Sequence, residues 1–264
     1  MELQVNGRKA YAYTGGKPLD ATLPALVFVH GAEHDHSVWI LQSRYLAHHG
    51  HGVLAVDLPG HGRSEGPPLA SVEAIAGWII ALLDAAGIAK ATVVGHSMGS
   101  LVAVEAAGRF PDRIERIVLV GSAFPMKVSD ELLAATRDDE PLAQDMVNIW
   151  SHSTLAHYPS NPGPGFWVIG ENLRLMQRQK AGVMHVDFTA CNSYAAGFER
   201  AAQVKCPALF VLGRRDVMTP ARAGEGLAKA IAGARVVTIA GCGHNVMAEK
   251  PDEVLDAMVA FLRS

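Results

Sequence analysis

The sequence predicts an α/β protein: a mostly parallel, eight-stranded sheet with helices on both faces and an inserted helical cap. Three observations carry that expectation. Short continuous apolar runs, rich in β-branched residues, recur along the chain with the length of strands covered on both faces. Helical stretches lie between most of them, and that alternation builds a parallel sheet. One long interval without a convincing strand interrupts the alternation.

The chain opens on Leu3-Gln4-Val5 and Ala10-Tyr11-Ala12-Tyr13, which alternate around Asn6-Gly7 and predict a tight hairpin at a sheet edge. Buried strands are expected at Leu26–Val29, Val53–Val56, Thr92–Val94, Ile117–Val120, Ala208–Leu212 and Val236–Ile239. Helices are expected over roughly 71–87, 98–110, 220–232 and 251–263. In the last, Val254, Met258, Phe261 and Leu262 form one apolar face, Pro251 sits near the start, and Asp252 and Glu253 occupy the first turn. The run His48-His49-Gly50-His51 is expected to end a helix on a solvated face. Right-handed crossovers then bring all parallel strand C-termini to one edge, where open α/β sheets bind ligands.

From about Phe124 to Lys205 the rhythm fails. This interval carries helical pieces, a Pro/Gly-rich loop at Tyr158–Gly165 and a large share of the Trp, Met and His residues. Connections between strand and helix usually need about 2 to 6 residues. A cap inserted at 124–205 over the strand edge accounts for the excess, with 1–123 and 206–264 forming the core.

Composition narrows the partners. The 264 residues, 49% hydrophobic and 19% charged, suit one large globular α/β unit with an insertion. A net charge of −3 provides no electrostatic draw toward nucleic acid or an anionic membrane. Cys191, Cys206 and Cys242 are odd in number, widely spaced and without a C-x-x-C pair, so they read as free thiols rather than a disulfide framework or a zinc site. No basic head precedes an apolar run at the N-terminus, and no segment reaches spanning length, so a cytoplasmic protein acting on a small molecule is expected.

Gly95-His96-Ser97-Met98-Gly99 lies where an apolar strand gives way to an alanine-rich helix, the setting of a nucleophile elbow. The turn holds the serine at a strained backbone angle, and larger residues two places to either side would collide. A serine hydroxyl is a poor nucleophile at neutral pH and requires a base and a group that orients the base. Asp216 and His244 each follow a predicted strand, so both reach the sheet edge that carries Ser97. An oxyanion hole needs backbone donors aimed at the developing charge. Met98 N–H begins the helix after Ser97, and Ala32 N–H, with Glu33 as second choice, follows the strand ending Val29-His30.

Together, His30-Gly31 with Trp39, Asp57-Leu58-Pro59-Gly60-His61-Gly62-Arg63-Ser64, the elbow, Gly213-Arg214-Arg215-Asp216 and Gly243-His244 resemble the α/β-hydrolase superfamily. The resemblance covers nearly the whole chain outside the cap. It implies the Ser97–His244–Asp216 triad, a cap domain where the insertion lies, and no metal or organic cofactor. Ser97 stands where haloalkane dehalogenases and epoxide hydrolases place an aspartate. His34-Asp35-His36 resembles a stretch of cofactor-independent quinolone-cleaving dioxygenases of this fold. Those enzymes carry a histidine where this chain has Met98, and take their acid from a loop that here reads Ser122-Ala123. The spacing of His30, His34, Asp35 and His36 does not match the metallohydrolase pattern H-x-H-x-D-H; His34 and His36 are expected at the pocket mouth or on loop carbonyls.

The expected reaction is hydrolysis of a small to medium, mainly apolar carboxylic ester through an acyl-serine intermediate. Trp39, Trp150, Trp167 and Met184 are candidate pocket residues, with Phe166 and Phe188 as further apolar material, while Arg174, Arg178 and Lys180 read as a solvated face. A C–C bond or lactone hydrolase, and a hydrolase-fold ligand receptor with slow turnover, are the alternatives.

Overall fold

The computed structural model describes residues 1–157 and 167–264, so the Tyr158–Gly165 loop and Phe166 lie outside the described residues. The opening hairpin pairs β1 (Glu2–Val5) with β2 (Arg8–Tyr13) in antiparallel register. Asn6 and Gly7, at φ 51° and 75°, supply the two left-handed positions its turn demands. The parallel strands are β3 (Ala25–Val29), β4 (Gly52–Val56), β5 (Ala91–His96), β6 (Ile114–Val120), β7 (Ala208–Gly213) and β8 (Arg235–Ile239). Among the described residues the eight strands form one sheet in the order β1-β2-β4-β3-β5-β6-β7-β8. β5 sits at its centre, with Phe28 of β3 opposite Val94 and Val118 of β6 on the other side.

The helices follow as α1 (Ile40–Ala47), α2 (Val72–Ala85), α3 (Met98–Arg109), α4 (Asp130–Asp138), α5 (Glu140–Trp150), α6 (Val168–Gln177), α7 (Val183–Ser193), α8 (Gly197–Gln203), α9 (Ala221–Ala228), α10 (Val246–Glu249) and α11 (Pro251–Leu262). Strand alternation divides the core into two layers. On one face Val27, Val93 and Phe210 pack against Ile79 of α2, Leu101 of α3 and Leu227 of α9. On the other, Phe28, Val94 and Val211 pack against Leu46 of α1 and Met258 and Phe261 of α11. Each such side chain, fully buried, contributes about 1.5–3 kcal/mol. Ser71 caps α2 by accepting the Ala74 N–H at 3.2 Å, and Ser129 caps α4 by accepting that of Leu132 at 3.2 Å.

Two expectations need revision. β8 is not covered on both faces: it is the sheet's edge, and Val236 and Val237 remain 40% and 37% exposed. The interval 124–205 is also not uniform. α4, α5, α6 and α7 share a small core of their own, built on Leu132, Ala143, Met176, Met184 and Phe188. The end of the interval packs instead on α3, where the buried Glu105 accepts hydrogen bonds from Tyr194 Oη at 2.7 Å and Arg200 Nε at 3.1 Å. Cys191, Tyr194, Ala201 and Val204 belong to the main core cluster. No helix among the described residues is long and apolar enough to cross a membrane.

Candidate active site

Ser97 follows the last residue of β5 and precedes α3, at φ 51° and ψ −117°. A non-glycine residue at positive φ costs energy, here held by its neighbours. A Cβ at Gly95 would run into the Gly99 carbonyl oxygen, and one at Gly99 into those of Val29 and His30. Both glycines are therefore steric requirements of the turn. Ser97 N–H is tied to Val120 O at 3.0 Å, and Ser97 O accepts the Ser100 hydroxyl at 2.6 Å.

His244 and Asp216 arrive from the ends of β8 and β7. His244 Nδ1 lies 2.8 Å from Asp216 Oδ2. Asp216 Oδ1 accepts the N–H groups of Met218 at 2.9 Å and Thr219 at 2.7 Å, and Oδ2 also accepts the Thr219 hydroxyl at 2.6 Å. Burial alone would raise this carboxyl's pKa. The charge of His244 and these donors outweigh burial and hold it below the ordinary value. The Thr219 oxygen lies 2.9 Å from His244 Nδ1, so its hydroxyl braces both partners instead of capping α9, whose N-cap residue is Pro220 with no side-chain cap bond. The His244 loop is fixed from below by Glu249, which accepts Gly243 N–H at 2.8 Å and the Ser153 hydroxyl at 2.5 Å.

Ala32, Ser97 and His244 line one cavity of about 250 Å³, lined on the cap side by Trp150, Phe188 and Leu132. Met98 N–H is the first amide of α3. The Glu33 N–H is taken up by Asp187 Oδ2 at 2.8 Å, and Ala32, the residue before it in the loop after β3, lines the cavity with Ser97.

Of the four expected pocket residues, the structure brings only Trp150 to this cavity. Trp39 is fully buried in the sheet core, its ring 5.4 Å from that of Phe28, because the turn before α1 folds it inward. Met184 fills the cap's own core at 0% exposure. Trp167 is 67% exposed, its ring lying over Gly170 of its own helix.

Histidines of the resemblance motifs are separated by their partners. His30 donates from Nδ1 to Gly31 O at 2.8 Å and accepts Leu58 N–H at Nε2, 3.1 Å away, joining the loops after β3 and β4. Burial and the neighbouring His61 charge push it down to about 4, so it stays neutral. His61 donates from both nitrogens, to Pro59 O at 3.0 Å and to Asp187 Oδ2 at 2.8 Å. Burial would lower its pKa, but the Asp187 carboxylate holds it above the ordinary value. His96, fully buried beside His244, donates to the His244 carbonyl at 3.0 Å and is kept neutral by burial and by His244's charge.

His34 and His36 bind side chains rather than loop carbonyls: His34 Nε2 meets Asn172 Oδ1 at 2.8 Å, and His36 Nδ1 meets Asp57 Oδ1 at 2.7 Å. Asp35, His36 and Asp57 are close enough to hold a metal. Their oxygens are already occupied: Asp35 accepts Arg178, Gln179 and Ser37 N–H, and Asp57 accepts His36 and Arg63 N–H. The cluster is a strut between core and cap. Arg178 is exposed, as expected, but its charge is also bound to the buried Asp35.

The fold and this constellation define a class, proteins built on a parallel sheet that present a serine at an elbow beside a His–Asp pair. The chain belongs to the alpha/beta hydrolase fold family, whose model matches residues 24–251. It is 30% identical over 262 residues to a dihydrolipoyllysine-residue acetyltransferase component of an acetoin cleaving system from Pseudomonas putida. That match takes in 94% of this chain but 64% of the relative, so the chain spans less than two thirds of that protein's length. It is 28% identical to Esterase YbfF of Escherichia coli (strain K12), covering 80% of this chain and 83% of the esterase. Among solved structures it is similar to the enol-lactonase from Burkholderia xenovorans LB400, with TM-score 0.88, 28% identity and 100% of both chains covered.

Thr219, Glu249, Asp187 and Asn172 escaped the sequence reading. None sits in a recognisable pattern; Glu249, Asp187 and Asn172 act through contacts between segments far apart in the chain, and Thr219 through a brace between Asp216 and His244. Glu33 had a weak signal, being adjacent to the oxyanion position.

Proposed function

We propose that this protein hydrolyses a small to medium, mainly apolar carboxylic ester through an acyl-Ser97 intermediate. One observation carries the reading: Ser97, held at positive φ, lines the same cavity as His244, whose other ring nitrogen is bound by Asp216. His244 Nε2 takes the Ser97 proton as Oγ attacks the carbonyl carbon, and Asp216 holds the ring and stabilises its charged form. The Ala32 and Met98 N–H groups receive the oxyanion. His244 passes its proton to the leaving alcohol, then activates the water that releases the acid. The residues required are all side chains and amides of this chain, with no metal or organic cofactor in the scheme. The substrate is a small molecule rather than a nucleic acid or a membrane, and the place of action is the cytoplasm.

A cyclic ester is a second substrate form, supported by the full-length similarity to the enol-lactonase. The test is turnover of short-chain aryl esters and lactones by the chain and by Ser97→Ala. The variant should lose several orders of magnitude in kcat, about 10⁶ where a serine nucleophile is removed from a triad, with its circular dichroism unchanged. Comparable turnover by Ser97→Ala overturns the mechanism.

A further inference from the structure

The catalytic cavity is apolar on the cap side, but one of its walls is charged. Lys127, in the segment between β6 and α4, lines it together with Met126, Val128 and Ser129. Among the described residues no carboxylate lines this cavity and Lys127 forms no ion pair. Asp130 and Glu131, its nearest acids in sequence, are exposed in the first turn of α4. Asp216, behind His244, has both oxygens occupied by four donors.

The Lys127 ammonium is placed rather than free. Nζ donates to the Asn192 carbonyl at 3.1 Å, while the Asn192 side chain accepts Val128 N–H at 3.1 Å. Asn192, near the end of α7, thus fixes both the backbone that carries the lysine and its charged end. An ammonium has three N–H groups, so two remain for a ligand. An exposed cation at the wall of a cavity whose cap side is apolar is matched by a ligand that is apolar in the middle and anionic at one end.

Size sets the length of that ligand. The cavity, of roughly 250 Å³, is open to solvent on one side and of a size for a small ligand. That is room for an acyl chain of a few carbons between the carbonyl attacked by Ser97 and a terminal group.

We propose that the substrate is a half-ester or lactone whose acyl part ends in a carboxylate, and that Lys127 binds that carboxylate. The inference rests on the reading of Ser97 as an ester-cleaving nucleophile. It adds an electrostatic selection that the apolar walls do not supply, because a neutral acyl chain of equal length brings the ammonium no counter-charge. Lys127 is a specificity-determining residue here. It acts on the distal end of the acyl group, so its contribution falls on KM.

The test compares 4-nitrophenyl half-esters of succinate, glutarate and adipate with neutral 4-nitrophenyl esters of matched chain length. The wild-type chain should favour one half-ester over its neutral match by about tenfold in kcat/KM, the size expected of a charge-assisted hydrogen bond. Lys127→Met should abolish the preference by raising KM for the half-ester towards that of its neutral match, and Lys127→Arg should retain most of it. Equal rates on both series, or a preference that survives Lys127→Met, overturns the proposal while Ser97-dependent hydrolysis of neutral esters still stands. Binding is read separately, by calorimetry of the preferred half-ester on Ser97→Ala with and without Lys127→Met. Lys127-dependent binding without hydrolysis by the wild-type chain would keep the carboxylate site and remove the hydrolase reading; neither binding nor hydrolysis removes both.

Discussion

The elbow and the seam between core and cap are held by different forces. At the elbow the constraint is backbone against backbone: Gly95, Gly99, Val29 and His30 approach so closely that no side chain fits between them. At the seam the constraint is side-chain hydrogen bonding. Asp187 of α7 accepts His61 Nε2 and Glu33 N–H, Asn172 of α6 accepts His34, and Asp35 accepts Arg178 and Gln179 beyond α6. Packing of the first kind is indifferent to pH, whereas much of the second carries charge. Ser97 is thus mounted on a part of the molecule that titration leaves alone, and the helices above it are fastened by a part that it does not.

The largest effect should come from the elbow. In Gly99→Ala the new methyl group would overlap the carbonyl oxygens of Val29 and His30, neither of which can withdraw without moving β3 or the oxyanion loop. Overpacking costs about 1–3 kcal/mol where neighbours can yield, and here they are backbone, so a loss of at least about 3 kcal/mol is expected. Urea denaturation measures it, and a midpoint near that of wild type would show that the elbow is looser than its contacts require.

At the seam, Asp187→Ala removes one carboxylate and strands two buried donors, His61 Nε2–H and Glu33 N–H. Breaking a buried ion pair from one side costs about 3–5 kcal/mol. Because the sheet core is separate from the cap's own cluster, the expected loss is local: early proteolysis between residues 124 and 193, with cleavage of the core strands later. Asp187→Asn keeps an acceptor oxygen and should fall between the two. Simultaneous cleavage of core and cap in Asp187→Ala would mean that the two regions unfold as one.

The same division decides what was legible in the sequence. Ser97, Asp216 and His244 announce themselves because each follows an apolar run of strand length, and strand ends of a parallel sheet share an edge. The seam has no such grammar. Asp187–His61 joins residues 126 apart and Arg178–Asp35 residues 143 apart, and nothing local to Arg178 distinguishes it from an exposed helix charge. The apolar residues misled for a related reason. Trp39, Met184 and Trp167 have the composition of a pocket wall, but whether such a residue faces a cavity, a core or solvent depends on how the cap helices are rotated. β8 was misjudged because Val236-Val237 has core composition on a strand with only one neighbour.

A pH dependence sharpens the contrast between the regions. Glu33 is fully buried, accepts Gln144 Nε2 at 2.8 Å, and has its pKa pushed up to about 9 by burial and by the nearby acids Glu140 and Asp187. The folded chain therefore holds a proton that the unfolded chain releases near pH 4.5. Stability from this group is full below that pH and is lost as pH rises toward 9. His61, also raised, adds a loss of the same sign as pH climbs through its folded pKa. The melting temperature should thus fall between pH 6 and pH 9. Glu33→Gln, which keeps a carbonyl oxygen for Gln144 and carries no charge, should flatten that slope. A slope unchanged in Glu33→Gln would place the pH sensitivity elsewhere.

The smallest effect separates two cap tryptophans that the sequence does not distinguish. Trp150 ends α5 and lines the cavity beside Ser97 and His244, while Trp167 precedes α6 and is 67% exposed. Trp150→Ala should raise KM for an aryl ester by a few-fold, since it takes an aromatic surface from the wall that an apolar acyl group meets. Trp167→Ala removes a largely exposed ring that lies over Gly170 of its own first turn, so stability should change by no more than about 0.5 kcal/mol, the usual range for surface sites. Its KM should stay at the wild-type value. A KM shift in Trp167→Ala equal to that of Trp150→Ala would mean that the cap turns its α6 edge toward the substrate when one is bound. The seam contacts at Asn172 and Arg178, on and just beyond that helix, would then have to break and re-form in each catalytic cycle.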